Sequence, residues 1–191
     1  MEVPMKPILA LLILAATPLR ADPLCDDWWF TRNLVYNQNG YCFSTPLGQA
    51  LFDNSDCIGT EVTLSATDQE IVAEARRMEE QFNCAVDTGA TTLDIPNLPL
   101  WLRLEQSVVH EEFASGCLGW QGEDIPLYAG PREGAEQIAT IRFGDDIVGE
   151  YKDIGAPPGW GFVTLYRGQD QIGLGWSNAR LNHDLCSRTA G

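Results

Sequence analysis

The chain has 191 residues, of which 45% are apolar, and its 27 acidic against 12 basic side chains give a net charge of −15 at pH 7. Such a surface repels the phosphates of nucleic acid and anionic lipid instead of releasing their counterions, so neither is a partner. A basic protein or a cationic group would be steered in, although acidity also serves solubility.

Residues 1–21 carry Lys6, an apolar run over residues 8–16, Pro18 and Ala21, the tripartite form of a signal peptide cleaved after Ala21. The run falls short of the ~20 residues that span a bilayer, and Asp22-Pro23-Leu24 before Cys25 is not a lipobox. The remaining 170 residues hold 26 acidic and 10 basic side chains, a net charge of −16. All six cysteines (Cys25, Cys42, Cys57, Cys84, Cys117 and Cys186) follow this segment. The expected address is therefore periplasmic or secreted, with oxidised sulfur and no stable membrane insertion.

Residues 22–87 read as helical. Asp26 or Asp27 can cap a helix carrying Trp28, Trp29, Phe30, Leu34 and Val35, and Gly40 supplies a left-handed stop. Thr45-Pro46 opens a shorter helix with Leu47, Leu51 and Phe52, the hydroxyl capping and the proline at the first helical position. A third helix has Ser65 or Thr67 as cap, Glu70 early, and a stripe of Ile71, Ala75, Met78 and Phe82 opposite charges such as Glu74, Arg76 and Arg77. If the three run up, down and up, Cys25 meets Cys57 at one end and Cys42 meets Cys84 at the other. That pairing is one of three that four cysteines allow. Structural zinc is the alternative use of the thiols, but its ligands come in close C-x-x-C pairs, and none are present.

Within this stretch Arg32-Asn33, Tyr36, Gly40 and Phe43 resemble the YARHG domain of secreted or surface bacterial proteins, with Gln38 and Asn39 replacing the Arg and His of its name. Residues 25–33 and 48–57 are also similar to a bacterial domain-of-unknown-function family. The resemblance implies a secreted scaffold in which the aromatics form the core and Arg32 and Asn33 cap or bridge helix ends.

Residues 88–100, with Gly89, Pro96 and Pro99, read as a linker. Strand-like pieces follow over residues 101–191: an alternating stretch at 101–105, a short piece at Val108 and Val109, then 125–128, 138–143, 147–151, 162–166 and 172–176, each bounded by Gly, Pro or Asp. Short strands so spaced indicate a small barrel or sandwich. Leu127-Tyr128-Ala129-Gly130-Pro131, Phe143-Gly144-Asp145, Trp160-Gly161-Phe162-Val163 and Gly175-Trp176-Ser177-Asn178 resemble a bacterial SH3-like (SH3b) domain. Cys117 and Cys186 flank the barrel and, bonded together, would tie its two ends. The expected fold is α+β, a small disulfide-stapled three-helix module followed by an SH3-like β-barrel.

The SH3-like resemblance implies a shallow groove with aromatic and polar walls, for which Tyr128, Trp160, Tyr166, Trp176 and Asn178 are the candidates. Trp160 and Trp176 have core packing as their other reading, and Tyr128 and Tyr166 depend on the face their strands present. Nothing in the sequence forms a catalytic, metal or cofactor signature. His110-Glu111-Glu112 lacks the second histidine of a zinc-protease helix, and His183 is the only other histidine. Asp26-Asp27 and Asp145-Asp146 read as cap and turn residues, and Gly173-Leu174-Gly175 lacks the helix a phosphate site requires. The expected function is an exported cell-envelope binding protein without catalytic activity, recognising peptidoglycan peptide or a periplasmic protein through its SH3-like half. An acidic inhibitor or immunity-like protein acting on a secreted hydrolase is the alternative, and an enzyme of unrecognised type the third.

Overall fold

The computed structural model describes residues 23–191; the expected signal segment lies outside the described residues. Helix α1 (Pro23–Gln38) starts earlier than expected, so Asp26 and Asp27 lie inside its first turns and not at its cap. Gly40, at φ +80°, ends it in the left-handed conformation that a side chain would disfavour. Helix α2 (Pro46–Leu51) is capped by Thr45, whose hydroxyl accepts the Gly48 N–H at 3.2 Å, with Pro46 in its first turn. Helix α3 (Ala66–Gln81) begins in a reciprocal capping box between Ser65 and Asp68 and buries Ile71, Ala75 and Met78.

The bundle does not run up, down and up. At six residues α2 is too short to traverse it, so α3 returns antiparallel to α1: Asn39, after the end of α1, donates to Asp68 in the first turn of α3. The N-terminus of α1 therefore meets the C-terminus of α3, where Cys25 bonds Cys84, while Cys42 and Cys57 bond each other around α2. The expected pairs Cys25 with Cys57 and Cys42 with Cys84 are thus corrected. Cys117 bonds Cys186, so all six cysteines are engaged in disulfides.

Residues 88–100 are not a free tether, because Ala90, Leu93, Ile95, Leu98 and Leu100 pack on the core. No strand forms over residues 101–105: a short helix α4 (Leu98–Trp101) ends there in a turn, and Trp101 and Leu104, three residues apart, are both buried.

Seven strands follow: β1 (Val109–Trp120), β2 (Ile125–Tyr128), β3 (Gln137–Ile141), β4 (Asp146–Lys152), β5 (Gly161–Arg167), β6 (Asp170–Ser177) and β7 (Cys186–Ala190). They form one antiparallel sheet in the order β3-β2-β6-β5-β4-β1-β7. The expected barrel is not closed, for β3 and β7 remain edges. The sheet nevertheless curls, and Leu127, Ile141, Ile147 and Leu165 share a cluster with Cys117 and Trp120 of β1.

A small free-standing barrel would bury only its inner face, whereas this sheet buries both. Phe162, Leu174 and Trp176 alternate with that inner set and join Trp29, Phe30, Leu34, Leu47 and Phe52 in one apolar core. A second cluster sets Trp28, Val35 and Ile71 against Val109 and Ile154. Helices and sheet therefore share their interior. On its rim Glu74 of α3 accepts from Arg77 at 2.8 Å and from Lys152 of β4 at 3.0 Å, and these bonds, the Arg77 ones foremost, hold its carboxyl down at about 2.

Candidate functional site

Tyr128 ends β2, Trp160 directly precedes β5, and Asn178 directly follows β6, so the sheet topology gathers three residues far apart in the chain. The Tyr128 and Trp160 rings meet edge to face, centroids 6.0 Å apart at 72°. With Asn178 and the 132–135 loop they line a cleft of about 320 Å³. That loop is held in place: Arg132 donates twice to Glu105, at 2.7 and 2.8 Å, and the Ala129 N–H donates to the Glu136 carbonyl at 2.8 Å. Gly130 lies so close to Glu105 that a Cβ there would come within 2.8 Å of the carboxylate. The result is an aromatic wall with a charged rim.

The other two candidates lie elsewhere. Trp176 is fully buried; its indole N–H donates to the Gln106 carbonyl at 3.2 Å and its ring meets Phe162 edge to face, so its surroundings are those of a core residue. Tyr166 turns to Glu150, donating at 2.8 Å, and burial together with this carboxylate pushes its hydroxyl up to about 12.

Residues 83–191, more than half of the chain, match the family described as Domain of unknown function (DUF4453). The chain belongs to the DUF4453 family. Residues 7–80 match the YARHG domain, over the stretch whose Arg32-Asn33, Tyr36 and Gly40 carry that resemblance. The domain-of-unknown-function match thus lies after the YARHG segment and not on residues 25–57, and over the stretch expected to be SH3-like the family matched is DUF4453. Neither the comparison with curated proteins nor that with solved structures found a match.

A polar network that sequence reasoning missed joins the YARHG and DUF4453 segments. Asp27 of the YARHG segment, interior to α1, accepts a 2.6 Å hydrogen bond from Tyr151 of β4. The Tyr151 ring meets His110 edge to face at 4.9 Å, His110 Nε2 lies 3.9 Å from Glu150, and Glu150 accepts from Thr164 and Tyr166. Burial raises the Asp27 carboxyl, opposed by the Tyr151 hydrogen bond, and burial together with Asp27 pushes the Tyr151 hydroxyl well above its ordinary value. Trp28 donates to the His110 carbonyl at 3.0 Å and Thr31 to the Val108 carbonyl at 3.1 Å, so the network joins α1 to the start of β1. The acidic pairs do not act as pairs: Asp27 joins this network, Asp145 bonds Arg167, and Asp146 accepts the Gly119 N–H. Among the described residues no group of three or more His, Cys, Asp or Glu side chains is arranged to hold a metal ion. Arg132 left no sequence signal because it lies in an unpatterned turn, and Glu105 was hidden in a stretch whose alternation suggested a strand.

Three disulfides fit an extracellular or periplasmic compartment. Among the described residues no helix is long and apolar enough to cross a membrane.

Proposed function

We propose that the chain is an exported cell-envelope binding protein without catalytic activity, whose C-terminal half is SH3-like in its curl and recognises peptidoglycan peptide or a periplasmic protein. The observation that supports this most is the Tyr128–Trp160 pair over a braced loop. Rigid amphipathic rings offer contact area with little side-chain entropy to lose, and Asn178 stands beside them for polar groups of an extended peptide. The excess of acidic side chains favours a second reading, an inhibitor of a basic secreted hydrolase, whose complex would weaken steeply with salt.

Co-sedimentation of the processed protein with purified sacculi, beside a pull-down from envelope extract, tests the first reading. The protein is expected to be retained in at least one, and Trp160→Ala to weaken retention about tenfold or more, as loss of an aromatic anchor does. Retention in neither, or retention untouched by Trp160→Ala and Tyr128→Ala, counts against the cleft.

A further inference from the structure

A second cleft opens on the helical half beside α1, α3 and the chain that follows Gly40. It encloses about 460 Å³, a size typical of small-molecule sites, and shares no residue with the Tyr128–Trp160 cleft. Its wall is aromatic: the rings of Tyr36 and Tyr41 lie 5.6 Å apart, and Tyr41 meets Phe43 edge to face at 5.0 Å. Its rim carries the hydroxyls of Ser44, Thr60 and Thr88, none of which has a hydrogen-bond partner among the described residues. The Thr45 hydroxyl is already engaged as the cap of α2.

Two arginines reach this cleft and differ in what they have left to offer. Arg32 is engaged by Glu79, which accepts from two of its nitrogens at 3.0 Å each. Arg76 is exposed and donates to the Tyr36 hydroxyl at 3.1 Å, yet among the described residues no carboxylate lies within 4.0 Å of it. In a chain where acidic side chains outnumber basic ones by 27 to 12, a guanidinium at a cleft with its charge unpaired is an unspent anion site. The net negative charge repels anions at long range but is screened over about 8 Å at physiological salt, so a contact made directly on the guanidinium survives it.

We propose that this cleft binds a carboxylate-bearing sugar. The carboxylate sits on Arg76, the C–H face of the ring lies against the tyrosines, and the sugar hydroxyls meet Ser44, Thr60 and Thr88. Uncommitted hydroxyls around flat rings match the alternating polar edge and apolar face of a pyranose, and one guanidinium matches one carboxylate.

The test is saturation-transfer NMR on the processed full chain with two pairs of sugars in which one member carries a carboxylate: glucuronic acid against glucose, and N-acetylmuramic acid, whose carboxylate sits on an added lactyl ether, against N-acetylglucosamine. The acidic member of at least one pair is expected to bind about tenfold or more tighter than its neutral twin, the size of a charge-assisted contact, and the responding pair tells a uronic polysaccharide from a wall sugar. Arg76→Gln, at an exposed position, should erase that preference with an unchanged melting temperature. Tyr41→Ala should weaken both members of the responding pair, and Trp160→Ala should leave binding as it is, which separates this site from the peptide-binding reading. The proposal is overturned if no sugar binds, if acidic and neutral twins bind alike, if the preference survives Arg76→Gln, or if a peptide with a free C-terminal carboxylate displaces the sugar at lower concentration.

Discussion

Asp27 shows how one side chain couples the helices to the sheet. Its carboxyl is raised by burial, so the folded chain binds its proton more readily than the unfolded chain, and this group's contribution to stability falls as pH rises from the ordinary carboxylate range through the folded value. The Tyr151 hydroxyl offsets part of that cost by donating to the ionised form at 2.6 Å, while Thr31 approaches only to 3.5 Å. Tyr151→Phe therefore leaves the buried Asp27 carboxyl without a near donor, since the Thr31 hydroxyl donates to the Val108 carbonyl. A loss of about 1–3 kcal/mol is expected where Asp27 is ionised, shrinking as pH falls toward the ordinary carboxylate range and Asp27 takes up its proton. Urea unfolding of both proteins across that range checks it, and a loss of equal size at every pH would show that the hydrogen bond to the ionised carboxyl is not the cause. The residue pattern hid this role. An aspartate four residues into a helical run reads as a cap, and its partner lies 124 positions away in a strand.

At the scale of elements, what the sequence made legible were those whose signal is local. Strands β2, β5 and β6 stand where period-two alternation meets Gly, Pro or Asp turns, and α2 and α3 start where Thr45 and Ser65 supply their caps. Strand β1 was legible only at its start, because residues 112–115 are exposed and its register shifts between His110 and Ser115, which breaks the alternation. The cysteine pairing depended on the length of α2, a boundary question that residue types answer poorly, and the direction of α3 followed from it. Of the candidate residues, Tyr128, Trp160 and Asn178 come together along one cleft, whereas Trp176, drawn from the same motif, is buried by tertiary packing. The Cys117–Cys186 bond belongs to this scale as well, since it fastens the exposed edge strand β7 to β1. Replacing both cysteines with alanine is expected to cost about 2–4 kcal/mol. Amide exchange should show residues 186–190 losing protection while β5 and β6 keep theirs. Uniform loss across the sheet would mean that β7 is integral to it and not an appended edge.

For the whole molecule the shared core is the decisive feature. Two family matches divide the chain near residue 80, yet Phe30 of α1, Phe52 after α2, Trp101 of α4 and Phe162, Leu174 and Trp176 of the sheet belong to one buried cluster. Families joined by a tether would unfold as separate units, whereas a sheet that needs helices to cover its second face cannot lose them and remain folded. Far-UV circular dichroism at a helix-weighted wavelength and tryptophan fluorescence are therefore expected to report one coincident transition in the disulfide-intact chain. Phe30→Ala sharpens the test, because Phe30 is 1% exposed and its loss should cost about 3–5 kcal/mol. If the core is common to both halves, both signals shift to the same lower midpoint. Were the sheet to keep its original midpoint while the helices melted early, the two segments would be independent domains in contact. Either clefted half could then be expected to bind when produced alone; a single transition predicts that neither half does.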